Sequence, residues 1–158
     1  QAINEETITK VLSRPWTTAN KMNAYLKAEG FDTLHILHNN SYSVEGYALC
    51  GTRGWFYEED QSGHNEKVFN REVIRLEASL KAAGGRPILA FLHYPPLYTG
   101  YRCPEILQKL EEYHVERCCY GHLHGPTHKR AIEGTVGTVA YSLVAADYLG
   151  FVPKKILE

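Results

Sequence analysis

The sequence predicts a mixed α/β fold, because apolar runs of strand length alternate with longer segments whose apolar residues recur at helical spacing. Two observations carry that prediction. The runs Pro87–Leu92 and Val115–Tyr120 are nearly continuous in apolar residues, as in strands buried on both faces. Ahead of the first lies a segment with Phe69, Val73, Leu76 and Leu80 at i, i+4, i+7 and i+11, a stripe that only a helix lines up.

In chain order, residues 1–15 are polar and weakly patterned, and Pro15 breaks what precedes it. A helix is expected from Thr17, with Ala19, Met22 and Leu26 on one face, a Thr17 or Thr18 cap and Gly30 as its stop. Thr33–Leu37 is apolar enough for a buried strand. Ser41–Val44 and Tyr47–Cys50 flank Glu45-Gly46, which reads as a hairpin turn. A glycine-punctuated loop, Gly51–Trp55, follows. The long helix runs from about Asn65 to Ala83 and ends at Gly84-Gly85. Pro104 suits the first turn of another helix, with Ile106, Leu110 and Tyr113 on one side. The tail from Thr127 to Ile156 is expected to form several short strands separated by Gly134, Gly137 and Gly150.

At 158 residues and 44% hydrophobic content the chain can bury a core of one domain. Seventeen basic against 18 acidic residues leave a net charge of −1, which argues against a phosphate-backbone binder. No apolar run reaches the roughly 18 residues that a bilayer crossing requires, so no membrane association is expected. The four cysteines, Cys50, Cys103, Cys118 and Cys119, contain no C-x-x-C pair. Adjacent Cys118 and Cys119 would make a strained disulfide, and a reduced, cytoplasmic setting fits best. Gln1 opens the chain and Met22 is its only methionine, which reads as a fragment or a processed product.

Three of the eight histidines stand at strand ends. His93 follows directly on Pro87–Leu92, and His122 and His124 follow on Val115–Tyr120. Ligands of open α/β sheets collect beyond the carboxyl ends of strands. In extended chain, residues two apart face the same way, so His122 and His124 can share a pocket. Imidazoles suit Zn, Mn, Fe or Ni ions.

Phe91-Leu-His-Tyr-Pro-Pro96 and Tyr120-Gly-His-Leu-His-Gly125 resemble the fourth and fifth metal-binding motifs of calcineurin-like metallophosphoesterases. His38-Asn-Asn-Ser-Tyr42, Cys50-Gly-Thr-Arg-Gly-Trp55, Ala145-Ala-Asp-Tyr-Leu149 and Pro153-Lys-Lys-Ile156 are similar to a bacterial branch of uncharacterised phosphohydrolases. The resemblance spans Trp16 to Ile156, so 1–15 is expected to be a divergent or foreign segment and 16–158 the C-terminal portion of a phosphoesterase domain. It implies a two-sheet sandwich flanked by helices and hydrolysis of a phosphate ester by a metal-bound hydroxide. Two divalent transition ions (Mn, Fe, Zn or Ni) about 3.5–4 Å apart are implied. His93 and His122 would bind one ion and His124 the other.

The family's early D-x-H, its G-D-x-x and its G-N-H-D/E are not in the sequence. In this branch the third motif reads G-N-H-D-Y-W-W. Its last Trp matches Trp16, which puts Val11 and Leu12 where Asn and His would stand. Three neutral imidazoles do not replace the charge of the missing carboxylates. The alternative reading is therefore a non-catalytic remnant, or a weak metal-binding or interaction module. A truncated layer would also expose an apolar sheet face through which the chain could self-associate.

Other residues carry two readings each. Arg53 can fork onto a substrate phosphate or hold its loop in an ion pair. Trp55 reads as packing. Asp147 could orient a ligand histidine, although a surface-loop role is the plainer reading. His128 extends no histidine motif, because Pro126 and Thr127 break both H-x-H-x-D-H and H-x-H-x-H. His35, His38, His64 and His114 read as surface or core fillers, and Tyr94 and Tyr98 as a pocket rim.

Overall fold

The computed structural model describes residues 18–55 and 63–157. The chain divides into two units, Gln1–His38 and Asn39–Glu158. The boundary that the sequence places at 15/16 lies outside the described residues, as does the Thr17 cap.

In the first unit, helix α1 spans Thr18–Ala28. Gly30 ends it with a φ of 79°. The Phe31 N–H donates to the Leu26 carbonyl at 2.9 Å and the Gly30 N–H to the Lys27 carbonyl at 3.2 Å, the paired bonds of a left-handed glycine stop. The expected apolar face is only partly realised, since Met22 is 47% exposed. Thr33–Leu37 is not a strand. Its backbone bonds locally instead, Leu34 N–H to Phe31 and Ile36 N–H to the Asn23 side chain, and Leu34 points outward.

The second unit is built on one six-stranded mixed sheet flanked by helices. Strands β1 (Asn40–Val44) and β2 (Tyr47–Thr52) form the expected hairpin. Both turn residues, Glu45 and Gly46, have positive φ, which matches the right-handed twist of the flanking strands. Helix α2 (Gly63–Lys81) leads to β3 (Ile88–Leu92), and helix α3 (Pro104–Glu112) to β6 (Val115–Tyr120). Between β3 and α3 lies a short ribbon of β4 (Leu97–Tyr98) and β5 (Tyr101–Arg102). A 3₁₀ turn, Gly125–Arg130, precedes β7 (Gly134–Val136) and β8 (Val139–Leu143).

The sheet order is β1-β2-β3-β6-β8-β7. The four inner strands β2, β3, β6 and β8 are mutually parallel, and the edges β1 and β7 run antiparallel to their neighbours. Parallel neighbours end at the same edge of the sheet. The segments after Thr52, Leu92, Tyr120 and Leu143 therefore emerge side by side.

Two expectations are corrected here. Gly51 and Thr52 are the last rungs of β2 rather than loop, because they pair with Phe91 and Leu92 of β3, and α2 adds side-chain bonds to both. The Ser79 hydroxyl accepts from the Gly51 N–H at 2.8 Å, and Thr52 Oγ1 donates to Glu72 at 3.1 Å. In the tail, β7 and β8 are the only strands among the described residues, and Gly134 lies inside β7. Beyond Leu143 the backbone turns instead, with Leu149 N–H bonded to Ala145 and Phe151 N–H to Ala146.

The core lies between one face of the sheet (Ala48, Cys50, Ala90, Cys118, Tyr120, Tyr141) and the apolar stripes of the helices, with Phe69, Leu76, Leu80, Ile106 and Leu110 all buried. Each such side chain contributes about 1.5–3 kcal/mol on leaving water. Glu72 shares that stripe, buried against Thr52 and Arg75. On the opposite sheet face, Leu89 and Cys119 are 3% and 1% exposed. In this unit the large exposed apolar side chains include Ile74, Phe151 and Val152. All four cysteines are free and buried. Among the described residues, no helix is long and apolar enough to cross a membrane.

Burial also sets the alkaline limit of the fold. It pushes the Cys103 thiol up to about 11 and the Tyr120 phenol to about 12. Unfolded, these groups ionise near about 8.5 and 10. The folded state holds their protons more tightly, so its stability is whole below about pH 8.5 and falls as the pH rises towards about 12. Melting temperatures recorded across that window should decline, and Cys103→Ala should lessen the decline without removing it, because burial raises Cys50, Cys118 and Cys119 as well.

Candidate metal centre

Four strand ends build the site, and backbone hydrogen bonds lock three of them together. His93 and Tyr94 both donate their N–H groups to the Arg53 carbonyl, at 3.1 and 2.9 Å. The Gly121 N–H is shared between the Leu92 and His93 carbonyls at 3.2 Å each. Gly54 has a φ of 71°, and a Cβ there would stand 3.2 Å from the Tyr94 carbonyl oxygen, so the close approach of the β2 and β3 loops needs glycine.

This framework brings two of the three strand-end histidines, His93 and His122, into contact. His93 Nε2 and His122 Nδ1 are 3.2 Å apart, with ring centroids separated by 5.1 Å. The two nitrogens hydrogen-bond to each other at 3.2 Å, and two nitrogens bound to one ion at about 2.0–2.1 Å stand about 3.0–3.4 Å apart, a similar span. Tyr94 walls both rings, at 4.7 Å from His93 and 4.5 Å from His122. Burial, followed by the charges of His124 and Arg53, lowers the pKa of His93. Burial, followed by His93 and His124, lowers that of His122. Both rings are thereby biased to the neutral form that a metal requires.

The local reason for this arrangement differs from the one expected. His122 has a φ of 70°, so the chain is not extended there and alternation does not govern where its neighbours point. His122 joins His93. His124 joins Asp147, whose Oδ1 accepts from its Nδ1 at 2.7 Å. Asp147 lies on an exposed turn, as the plainer reading has it, and from there it also orients a histidine. Its carboxyl is held well below the usual carboxylate range, first by the Gly125 N–H at 3.0 Å and then by His124. An ionised carboxylate only accepts, so the His124 proton sits on Nδ1.

Arg53 stands on the same rim. Its guanidinium carbon lies 4.6 Å from the Trp55 ring centre and 5.9 Å from that of Tyr94, and Trp55 packs against the core. Beyond His122 a cavity of about 200 Å³ is bounded by Tyr98, Thr127 and Arg130 among others. Arg130 stacks 4.6 Å over the Tyr98 ring.

Sequence reasoning set His128 aside, because it completes no histidine motif, and did not single out Arg130. His128 lies four residues after His124 with Pro126 between them, and the turn that Pro126 starts carries it back towards Asp147. The rule that selected His93, a residue just past an apolar strand, would also have selected Asp147 after β8.

Comparison of the chain with protein-family models, with curated proteins and with solved structures finds no match. The resemblance to metallophosphoesterases rests on the motifs themselves.

Proposed function

We propose that this chain carries part of the active site of a metal-dependent phosphoesterase, with His93 and His122 holding one divalent ion, His124 a second, and Arg53 receiving the substrate phosphate. The observation that carries the reading is the 3.2 Å approach of His93 Nε2 to His122 Nδ1 at the ends of two parallel strands. The donor set of imidazoles and one carboxylate suits Mn, Fe, Zn or Ni. Such an ion, when bound, supplies Lewis acidity and a nucleophile at neutral pH.

The chain's own residues act around it. Tyr94 holds both imidazoles edge-on and excludes water from one side. Asp147 fixes the His124 ring through Nδ1, the outer hydrogen bond that a ligand histidine needs. Arg53, its guanidinium stacked on Trp55, offers two parallel N–H donors to a phosphate. In this reading the six-stranded sheet is one layer of a two-sheet sandwich.

The test is a polypeptide that also carries D-x-H, G-D and G-N-H-D ahead of Trp16. It should hydrolyse a chromogenic phosphate mono- or diester with added Mn or Zn, and His93→Ala or His122→Ala should reduce turnover at least about 100-fold. Metal-independent turnover, or turnover indifferent to both substitutions, would exclude the reading. A non-catalytic metal-binding module is the second reading. It is favoured by the composition of the site, where Asp147 is the carboxylate that reaches the histidines.

A further inference from the structure

We propose that His124, His128 and Asp147 form a divalent transition-metal site of their own, separate from the His93–His122 pair. One ligand atom from each of the three lies within 4.8 Å of the others. Ligands of a four-coordinate ion stand about 3.3 Å apart at bond lengths of 2.0–2.1 Å, so small side-chain rotations close the set.

The second observation is independent of that proximity. His128 Nε2 is buried and has no hydrogen-bond partner, although Asp147 Oδ2 lies 3.1 Å from it. The distance suits a bond and the alignment does not. A buried polar atom left in that condition is destabilising, and an ion between the imidazole and the carboxylate would relieve it.

The scaffold around the three is closed in the way ligand sites need. The Thr127 N–H and hydroxyl both donate to the His124 carbonyl, at 3.1 and 2.7 Å, and the Ala131 N–H donates to that of His128 at 2.9 Å. These bonds pin the turn that presents both rings. Asp147 is held by the Gly125 N–H and by the Tyr148 N–H, each at 3.0 Å. Tyr148 stacks edge-on against His128 at 5.2 Å, and its own hydroxyl donates to Glu133 at 2.6 Å.

Two imidazoles and one carboxylate favour Zn, Co, Ni or Cu over the oxygen-seeking Ca and Mg. The single carboxylate leaves a net +1 at the ion, and the exposed position of His124 leaves room for water or an anion as the remaining ligand. The proposal deepens the reading above: it gives the ion assigned to His124 two further ligands, His128 and Asp147, with Asp147 binding the ion directly rather than only orienting the His124 ring.

Titration of the 158-residue chain with Co ions, followed by visible absorption, tests it, with circular dichroism to show that each variant is folded. Wild type and His93→Ala should bind the ion here with equal affinity, while His128→Gln and Asp147→Ala should weaken it about 100-fold or more. In wild type, added Zn should shift the ring resonances of both His124 and His128, a readout that needs no variant. Unchanged binding in His128→Gln with unshifted His128 resonances would overturn the proposal, as would loss of this ion in His93→Ala. Either result leaves the phosphoesterase reading standing, whereas binding here without hydrolysis in the longer polypeptide would sink that reading alone.

Discussion

With Mn or Zn ions added, the 158-residue chain alone is expected to leave simple phosphate mono- and diesters unhydrolysed. Two-ion hydrolysis needs a carboxylate that bridges the ions about 3.5–4 Å apart. The histidine cluster has Asp147 as its carboxylate, and Asp147 is turned towards His124 and His128 rather than towards the His93–His122 pair. Two dications held by neutral imidazoles and one negative charge repel each other strongly in a partly desolvated cleft. A general acid at the leaving group contributes typically about 10²–10⁴-fold. By resemblance that acid belongs to the third motif, where Leu12 stands. A coupled chromogenic assay decides the matter, and robust metal-dependent turnover by this chain, lost in His122→Ala, would sink the expectation.

The second large effect is structural. Tyr120→Phe is expected to destabilise the second unit by about 2–4 kcal/mol, because one hydroxyl satisfies two backbone groups at once. Tyr120 is fully buried, its hydroxyl donates to the Ile132 carbonyl at 2.7 Å, and it accepts from the Ile132 N–H at 2.9 Å. That pair of bonds ties the end of β6 to the far side of the loop that carries His122, His124 and His128. Without it, both Ile132 groups are left without their partner and the loop loses its closure. Urea unfolding measures the loss, and hydrogen exchange at the Ile132 amide should accelerate. A change within about 0.5 kcal/mol, the range of ordinary surface substitutions, would show that water replaces the hydroxyl.

Much of the architecture was legible in the sequence because local rules and tertiary packing agree there. The Phe69–Leu80 stripe, the Glu45-Gly46 hairpin and Pro104 at its helix start each depend on spacing or on a single backbone preference. Thr33–Leu37 misled because an apolar run of strand length does not reveal whether a neighbouring strand exists to pair with it. Gly51 and Thr52 misled because their partners are distant in sequence: Phe91 and Leu92 in β3, and Ser79 and Glu72 in helix α2, 28 and 20 residues away.

The candidate site divides along the same line. The position of His93 and His122 just beyond two apolar runs was enough to place both at one edge of a parallel sheet, since strand direction follows from the helices that connect them. Which histidine meets which partner was decided by the fold alone. The left-handed backbone at His122 turns its ring to His93 and sends His124 to Asp147, and the parallel alignment of β6 with β8 brings residue 147 beside residues 124 and 128. Spacing along a chain sets how far apart two side chains can be. Only strand pairing and backbone hand set the directions in which they point.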